Sequence, residues 1–398
     1  MRKPVLTIFY QYDPWNATIG GIQSFINTFI KYAPDTFDLR MVGTGGDPAQ
    51  TPGEWHDAEY MGKPIQFFPL FTLVEDDTRG LVPTSVKYTG ALLGQTLASD
   101  FMHFHRIEPT LATFRWPGEK TLFVHNDIQQ QVSAAKNANS ILWQRFPALY
   151  FTLERFLVAQ FDKVISCNSN STQFYRQRYP RFADRIDDFK YAIDPKVFAP
   201  LSPDQTQAAQ ATVLKRLGLP ADTRLILFAG RLHPQKDPLL LVRAIAALND
   251  PTAHLLMAGD GELKADIVAE IEKHQIQDRI TLLGAVPHDQ LAELHQVASA
   301  FVLSSVYEGL PLAILEALSC GTPIVTMRSG HTPNVLTVDS GIVVDERTPT
   351  ALAAALGQVV DHPDAYPASA CTQVAAPYQA DQVIGNLFED MLSRWQVA

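Results

Sequence analysis

Short apolar runs closed by chain-breaking residues recur along this chain with helical stretches between them, and that alternation limits the fold more than any other feature. Val5–Tyr10, Leu39–Val42, Phe101–Phe104, Thr121–Val124 and Val164–Ser166 read as buried strands. Uninterrupted apolar strands of this kind belong to parallel sheets covered by helices, because a parallel connection has to cross over the sheet. The first strand runs into a loop with Gly20 and Gly21, then into Ile22, Phe25, Ile26, Phe29 and Ile30 at three- and four-residue spacing, a strand, glycine loop and helix in succession. A Pro- and Gln-rich interval, Pro195–Gln210, reads as a linker. The rhythm then restarts with Leu225–Ala229, His254–Ala258, Ile280–Leu283, Ala300–Leu303 and Pro323–Thr326, with helices predicted over Pro238–Leu248 and Ala265–Lys273. The last amphipathic run, Gln382–Trp395, predicts a closing helix. The expectation is an α/β protein of two doubly wound domains, residues 1–194 and 195–376, with residues 377–398 packing back toward the first.

Bulk properties remove several function classes. A chain of 398 residues exceeds what one core usually organises, and 46% hydrophobic content is enough to fill two. The early apolar run is broken by Gln11, Asp13 and Pro14, and no stretch approaches the ~20 apolar residues of a membrane span, so neither a secretory leader nor a membrane helix is expected. Cys167, Cys320 and Cys371 are odd in number and scattered, which suits buried thiols in a reducing cytosol. A net charge of −10, concentrated after Asp194, argues against a general nucleic-acid binder, which needs a basic face. Neither glycine cluster, Gly43–Gly46 or Gly259–Gly261, completes the dinucleotide fingerprint, which argues against a dehydrogenase.

In open parallel sheets ligands sit beyond the carboxyl ends of the strands, and the chemically distinctive residues fall there. After Ala229 comes a strand-to-helix loop with Arg231 and Lys236, a planar fork and a point charge that together suit a diphosphate. Two such residues in one loop are ordinarily plain surface cations. After Leu303 comes a loop with Glu308, Gly309, Leu310, Pro311 and Leu312, where Gly309 lets backbone approach a ligand and Pro311 suits a helix first turn with free amide donors. Glu308 stands at the helix mouth. Glu316 falls about two turns inside an apolar helix, where a carboxylate needs a partner; ribose hydroxyls fit, and an outward-pointing side chain or a structural arginine is the plainer alternative.

Taken together, Gly230-Arg231-Leu232 with Lys236, Gly259-Asp260-Gly261, Glu308-Gly309-Leu310-Pro311 through Glu316-Ala317, and Cys320-Gly321-Thr322-Pro323 resemble the retaining, sugar-nucleotide-dependent glycosyltransferases of family four. The resemblance covers most of the second domain, and Glu308 and Glu316 reproduce the family's two glutamates. In the first domain, Gly20 and Gly21 resemble its phosphate-approaching glycine loop and His125 its cleft histidine, with His103 and His105 as rivals. Two segments depart from the pattern: Tyr191-Ala192-Ile193-Asp194 stands for the Asn-Gly-Ile-Asp hinge, and Ser329-Gly330-His331-Thr332-Pro333-Asn334 for a glycine pair followed by Pro-Glu.

The resemblance implies a GT-B fold of two facing Rossmann-like domains. It also implies transfer of a hexose, with retention, from a UDP- or GDP-sugar to a hydroxyl of a glycan, glycolipid or lipid-linked acceptor, without metal or other cofactor. Arg231, Lys236 and the amides of Gly309 to Leu312 would meet the diphosphate, Glu308 the donor sugar, Glu316 the ribose, and His125 a sugar hydroxyl or the leaving group. A GT-B sugar phosphorylase, a nucleotide-sugar epimerase and a non-catalytic sugar-binding protein are the alternatives. Glu75-Asp76-Asp77 resembles the metal-binding acidic motif of the other glycosyltransferase fold but reads more simply as a solvated turn. Aromatic and basic residues interleave in Phe174–Lys190, and aromatics crowd Trp143–Phe161, a composition that could meet anionic lipid at the inner face of the membrane, although Asp184, Asp187 and Asp188 dilute the charge and an ordinary domain surface is the plainer reading.

Overall fold

The computed structural model describes residues 2–15, 21–45, 47, 49–72, 83–125, 147–166 and 169–397. They divide into two compact units, Met1–Ala192 with Ala380–Ala398, and Ile193–Gln379. Each is built on a largely or wholly parallel sheet, as the alternation of apolar runs and helices predicts. Gly20, Glu75 to Asp77, Trp143 and Cys167 lie outside the described residues.

The first sheet comprises β1 (Val5–Phe9), β2 (Asp38–Gly45), β3 (His56–Tyr60), β4 (Lys63–Thr72), β5 (Phe101–Phe104), β6 (Glu119–Val124), β7 (Lys163–Ser166) and β8 (Ile186–Asp188), in the order β3-β4-β2-β1-β5-β6-β7-β8. Only β3 and β4 pair antiparallel. The apolar runs mark β1, β2, β5, β6 and β7. The β3–β4 hairpin escapes them because β3 is a charged edge strand and β4 carries Pro64 and Pro69. Its turn, Met61-Gly62, holds both residues left-handed, φ 53° and 71°, as a two-residue hairpin requires.

Helix Gly21–Lys31 buries Phe25, Ile26, Phe29 and Ile30. Helix Ala380–Val397 packs onto the same unit: Phe388 stacks on Phe29 at 4.8 Å and meets Phe37 edge-on at 5.0 Å. Arg394 makes a bidentate bond to Glu119 of β6, Lys163 of β7 pairs with Asp390, and Arg2 lies over the Trp395 ring. The apolar stripe of this helix is therefore part of the first unit's core.

The second sheet comprises β9 (Arg224–Ala229), β10 (Ala253–Ala258), β11 (Ile280–Gly284), β12 (Ala300–Leu303), β13 (Ile324–Met327) and β14 (Gly341–Val344), all parallel, in the order β11-β10-β9-β12-β13-β14. Leu225 to Phe228 are wholly buried, which is why they read as a continuous apolar run. Helix Pro203–Leu217 begins inside the interval expected to be a linker. The glutamines and alanines there are helix formers, Ser202 and Gln205 close a capping box, and Gly218 ends the helix left-handed at φ 68°. The two ends of this unit are stitched together, with the Ile193 amide donating to the Tyr378 carbonyl at 2.7 Å.

Phe388 is 2% exposed. Truncating it to alanine is expected to destabilise the first unit by about 3–5 kcal/mol, read as a lower urea midpoint; a wild-type midpoint would show that the closing helix adds nothing to that core.

Candidate active site

In the second sheet β9 is flanked by β10 on one side and β12 on the other, so the chain winds away from β9 in both directions. The loops that leave β9 and β12 diverge at this switch point, where doubly wound sheets bind ligands. The β9 loop carries Arg231 and Lys236 and ends at helix Pro238–Ala247; the β12 loop carries Glu308 and ends at helix Leu312–Ser319. Lys236 Nζ forms an ion pair with Glu308 Oε1. Backbone and side-chain bonds hold the loops around that pair: the Val306 amide donates to Gln235 O at 2.8 Å and Gln235 Nε2 to Tyr307 O at 3.1 Å. The buried Ser304 hydroxyl lies 2.8 Å from the carbonyls of both Lys236 and Asp237. Arg231 is exposed and bonds to neither member of the pair.

Close approach of backbones is the second device. Gly259, at φ 145°, follows β10, and a Cβ there would lie 1.9 Å from the Gly230 carbonyl oxygen. Gly330, at φ 54°, follows β13, and a Cβ there would lie 1.9 Å from Glu308 O and 2.5 Å from Gly309 O. Any side chain at either position would drive the loops apart. The Ser329–Asn334 segment, which departs from the family pattern in sequence, thus braces the Glu308 loop, with the His331 amide donating to Gly309 O at 2.9 Å.

Pro311 caps the helix from an extended conformation rather than occupying its first turn, and no side chain caps that end. The amides of Leu312 and Ala313 consequently have no acceptor within the helix. Ile314, Leu315, Ala317 and Leu318 are buried, and so is Glu316, at 6% exposure. Its carboxyl has no hydrogen-bond or ion-pair partner among the described residues, and burial raises its pKa to about 7. The outward-pointing alternative for Glu316 is thereby excluded, as is a structural arginine among those residues.

The first unit presents a different cluster. Gly21 is the exposed first residue of its helix. His125, just past β6, and His105, just past β5, are partners rather than rivals: His105 Nδ1 and His125 Nε2 share a hydrogen bond of 2.8 Å and their rings stack at 5.1 Å. The Tyr191 hydroxyl donates to His125 O at 3.2 Å and lies 3.5 Å from His125 Nδ1. His103 is buried within β5, between Phe29 and Phe123. Burial lowers the pKa of His103 to about 3, with the Arg394 charge adding to it. Burial first, then Arg106, does the same for His125, and His105 is held well below 6.5 by burial and its two histidine neighbours.

The aromatic and basic stretch Phe174–Lys190 turns its rings inward. Tyr175 and Tyr179 are buried and donate to Glu154, Phe189 is buried, and Arg176 is engaged by Asp187 and Ile186 O. Among the described residues the exposed aromatics include Trp15, and Phe114 with Phe156 of the Trp143–Phe161 stretch, the last two stacked on each other at 5.2 Å. No helix among the described residues is long and apolar enough to cross a membrane.

The buried imidazoles set an acid limit. In an unfolded chain each protonates near pH 6.5, whereas His103 in the fold stays neutral to about 3, so stability is complete above pH 6.5 and is lost as pH falls toward 3. At pH 5 the loss is about 2 kcal/mol for each of His103 and His125. The unfolding free energy is expected to fall between pH 7.5 and 5, and His103→Leu to flatten that slope; an unaltered slope in the variant would show that His103 protonates within the fold.

Residues 210–370 match the family described as Glycosyl transferases group 1. Among similar curated proteins, the D-inositol 3-phosphate glycosyltransferase of Xylanimonas cellulosilytica is 32% identical over 52% of this chain and 50% of its own length, and that of Mycolicibacterium smegmatis 30% over 58% and 53%. The chain thus spans about half the length of the curated relatives it matches. Among solved structures, sucrose-phosphate synthase from Thermosynechococcus elongatus superposes with a TM-score of 0.79 at 18% identity, covering all of both chains. Anabaena HepE in complex with UDP and glucose superposes with 0.71 at 16%, covering 98% of this chain and 100% of its own. Residues 210–370 of this chain are thus similar to the group 1 glycosyl transferases, and its two sheet units have the GT-B fold.

Proposed function

We propose that this chain transfers a hexose from a nucleoside diphosphate sugar, UDP before GDP, to an acceptor hydroxyl with retention of configuration. The observation that carries the reading is the Lys236–Glu308 ion pair at the β9–β12 switch point, beside a helix start whose amides have no intrahelical acceptor. Charge develops on the diphosphate as it departs. Lys236, the exposed Arg231 and the amides near Leu312 supply positive potential where that charge appears, which lowers the barrier selectively. Glu308 accepts from hydroxyls of the donor sugar, and Lys236 then divides its protons between that carboxylate and phosphate oxygen. The acceptor hydroxyl attacks from the leaving-group face and passes its proton to the departing phosphate. The neutral His125 is assigned to a sugar hydroxyl.

Glu316 is assigned to the ribose hydroxyls. With a pKa of about 7 it is partly protonated at neutral pH, and hydroxyl donors favour the charged form. Nucleotide binding at pH 7 is therefore accompanied by proton release. The reaction on this reading needs no cofactor besides its donor and proceeds in excess chelator, and a cytoplasmic setting suits the buried free thiols Cys320 and Cys371. UDP takes precedence because a structural neighbour is described with UDP and glucose. The acceptor classes to try are inositol phosphates, after the named relatives, together with glycans and lipid-linked sugars.

A thermal-shift panel of UDP-, GDP-, ADP- and dTDP-sugars identifies the donor, since a ligand that binds only the folded state raises its midpoint. Glu316→Gln is the informative variant. A carboxyl whose pKa is raised on folding destabilises the fold once pH passes the unfolded value, and fully so above about 7. At pH 8 the unliganded variant should unfold no earlier than wild type while its nucleotide affinity falls tenfold or more, corresponding to a charge-assisted bond of about 1.5–3 kcal/mol. Undiminished affinity would remove Glu316 from the site. Phosphate-dependent sugar release, or isomerisation without acceptor, would assign the fold to a phosphorylase or an epimerase.

A further inference from the structure

Arg347 lies in the segment between β14 and helix Pro349–Asp361, more than a hundred residues from Lys236, and its strand β14 is separated from β12 in the sheet by β13. Its guanidinium nevertheless reaches the β9–β12 switch point. Nη2 donates to Asp237 Oδ2 at 2.7 Å and to Ser304 O at 2.6 Å, and Nη1 donates to Ser305 O at 3.1 Å. One rigid planar group thus joins the residue directly after Lys236 to the first two residues of the loop that carries Glu308.

Asp237 needs such a brace. It is a non-glycine residue at φ 45° and ψ 57°, a left-handed conformation that costs a residue with a Cβ energy and is held here by the bonds around it. Its carboxylate is divided between two tasks: Oδ1 accepts from the Leu240 amide to cap helix Pro238–Ala247, and Oδ2 accepts from Arg347. The Ser304 hydroxyl reaches the carbonyls on either side of this kink, Lys236 O and Asp237 O. Arg347, Asp237 and Ser304 therefore form a closed set of bonds around the peptide that aims Lys236. Among them only Arg347 is supplied by an element that adjoins neither β9 nor β12.

We propose that Arg347 is a positioning residue that fixes the separation of the β9 and β12 loops, and so holds Lys236 in register with Glu308 for the diphosphate. The assignment rests on the reading of Lys236 as a diphosphate contact. It makes a demand that a merely stabilising arginine does not: losing Arg347 should weaken recognition of phosphate and leave recognition of the nucleoside, which does not pass through Lys236, intact.

The experiment compares wild type with Arg347→Met and Arg347→Lys by calorimetric titration of UDP and of uridine, with GDP and guanosine run alongside, and with unliganded unfolding midpoints. Arg347→Met is expected to bind UDP at least tenfold more weakly, to bind uridine within twofold of wild type, and to lose kcat while the acceptor KM holds. Arg347→Lys should fall between, because an ammonium can meet Asp237 but cannot span both carbonyls. Asp237→Asn, which keeps a capping oxygen and drops the charge, should repeat the phosphate-selective loss if Arg347→Met fails to fold. Wild-type UDP affinity in Arg347→Met, or equal loss of UDP and uridine, overturns the assignment and leaves the proposed transfer reaction untouched. A wild-type protein that binds neither UDP nor GDP overturns the transfer reading and this inference with it.

Discussion

A parallel sheet that winds away from β9 in both directions leaves the ends of β9 and β12 side by side with their loops departing oppositely, and everything distinctive about the second unit is built on that opening. A cation from one loop and a carboxylate from the other meet across it. The pair is largely enclosed, with side-chain exposures of 19% for Lys236 and 10% for Glu308, so it is screened less than a surface pair and its geometry matters more. Gln235, Ser304 and the close backbone contacts at Gly259 and Gly330 act to the same end. They bring the loops after β9, β10, β12 and β13 within van der Waals reach of one another.

Burial sets the charge state of several ionisable groups. Glu316 sits in an apolar helix with its pKa raised to about 7, and the histidines of the first unit are held neutral by the same physics with opposite sign. A carboxyl in that setting is costly to a folded protein, and groups kept against their own stability tend to mark sites. The His105–His125 pair adds that a candidate catalytic imidazole is held by a second one, its remaining nitrogen facing Tyr191. The polar character of the first unit's strand ends belongs to this set of groups together.

Much of the fold was legible because long apolar strands and three- and four-residue helical spacing survive in sequence. The strands at the centre of both sheets were all marked. Those missed, β3, β4, β8 and β14, are edge strands or neighbours of an edge, where one face meets solvent and the apolar signal is diluted; β4 also carries prolines. Helix Pro203–Leu217 was hidden by its weak apolar pattern, although its capping box and terminal glycine were readable. Of the site, Lys236 and Glu308 were legible as neighbours in chemistry, and the structure makes them neighbours in space.

By itself the sequence determined the sheet-and-helix alternation, the strand ends at which charged residues emerge, and the presence of a carboxylate within an apolar helix. These are local consequences of residue order, since burial period and chain-breaking residues act over a few positions. Only the tertiary structure decided which charges touch, that Gly330 rests on the Glu308 carbonyl, that His105 and His125 share a bond, and that Arg347 reaches Asp237. Those contacts join residues from 20 to more than a hundred positions apart, and their pairing follows from strand order and loop packing, which no local pattern encodes.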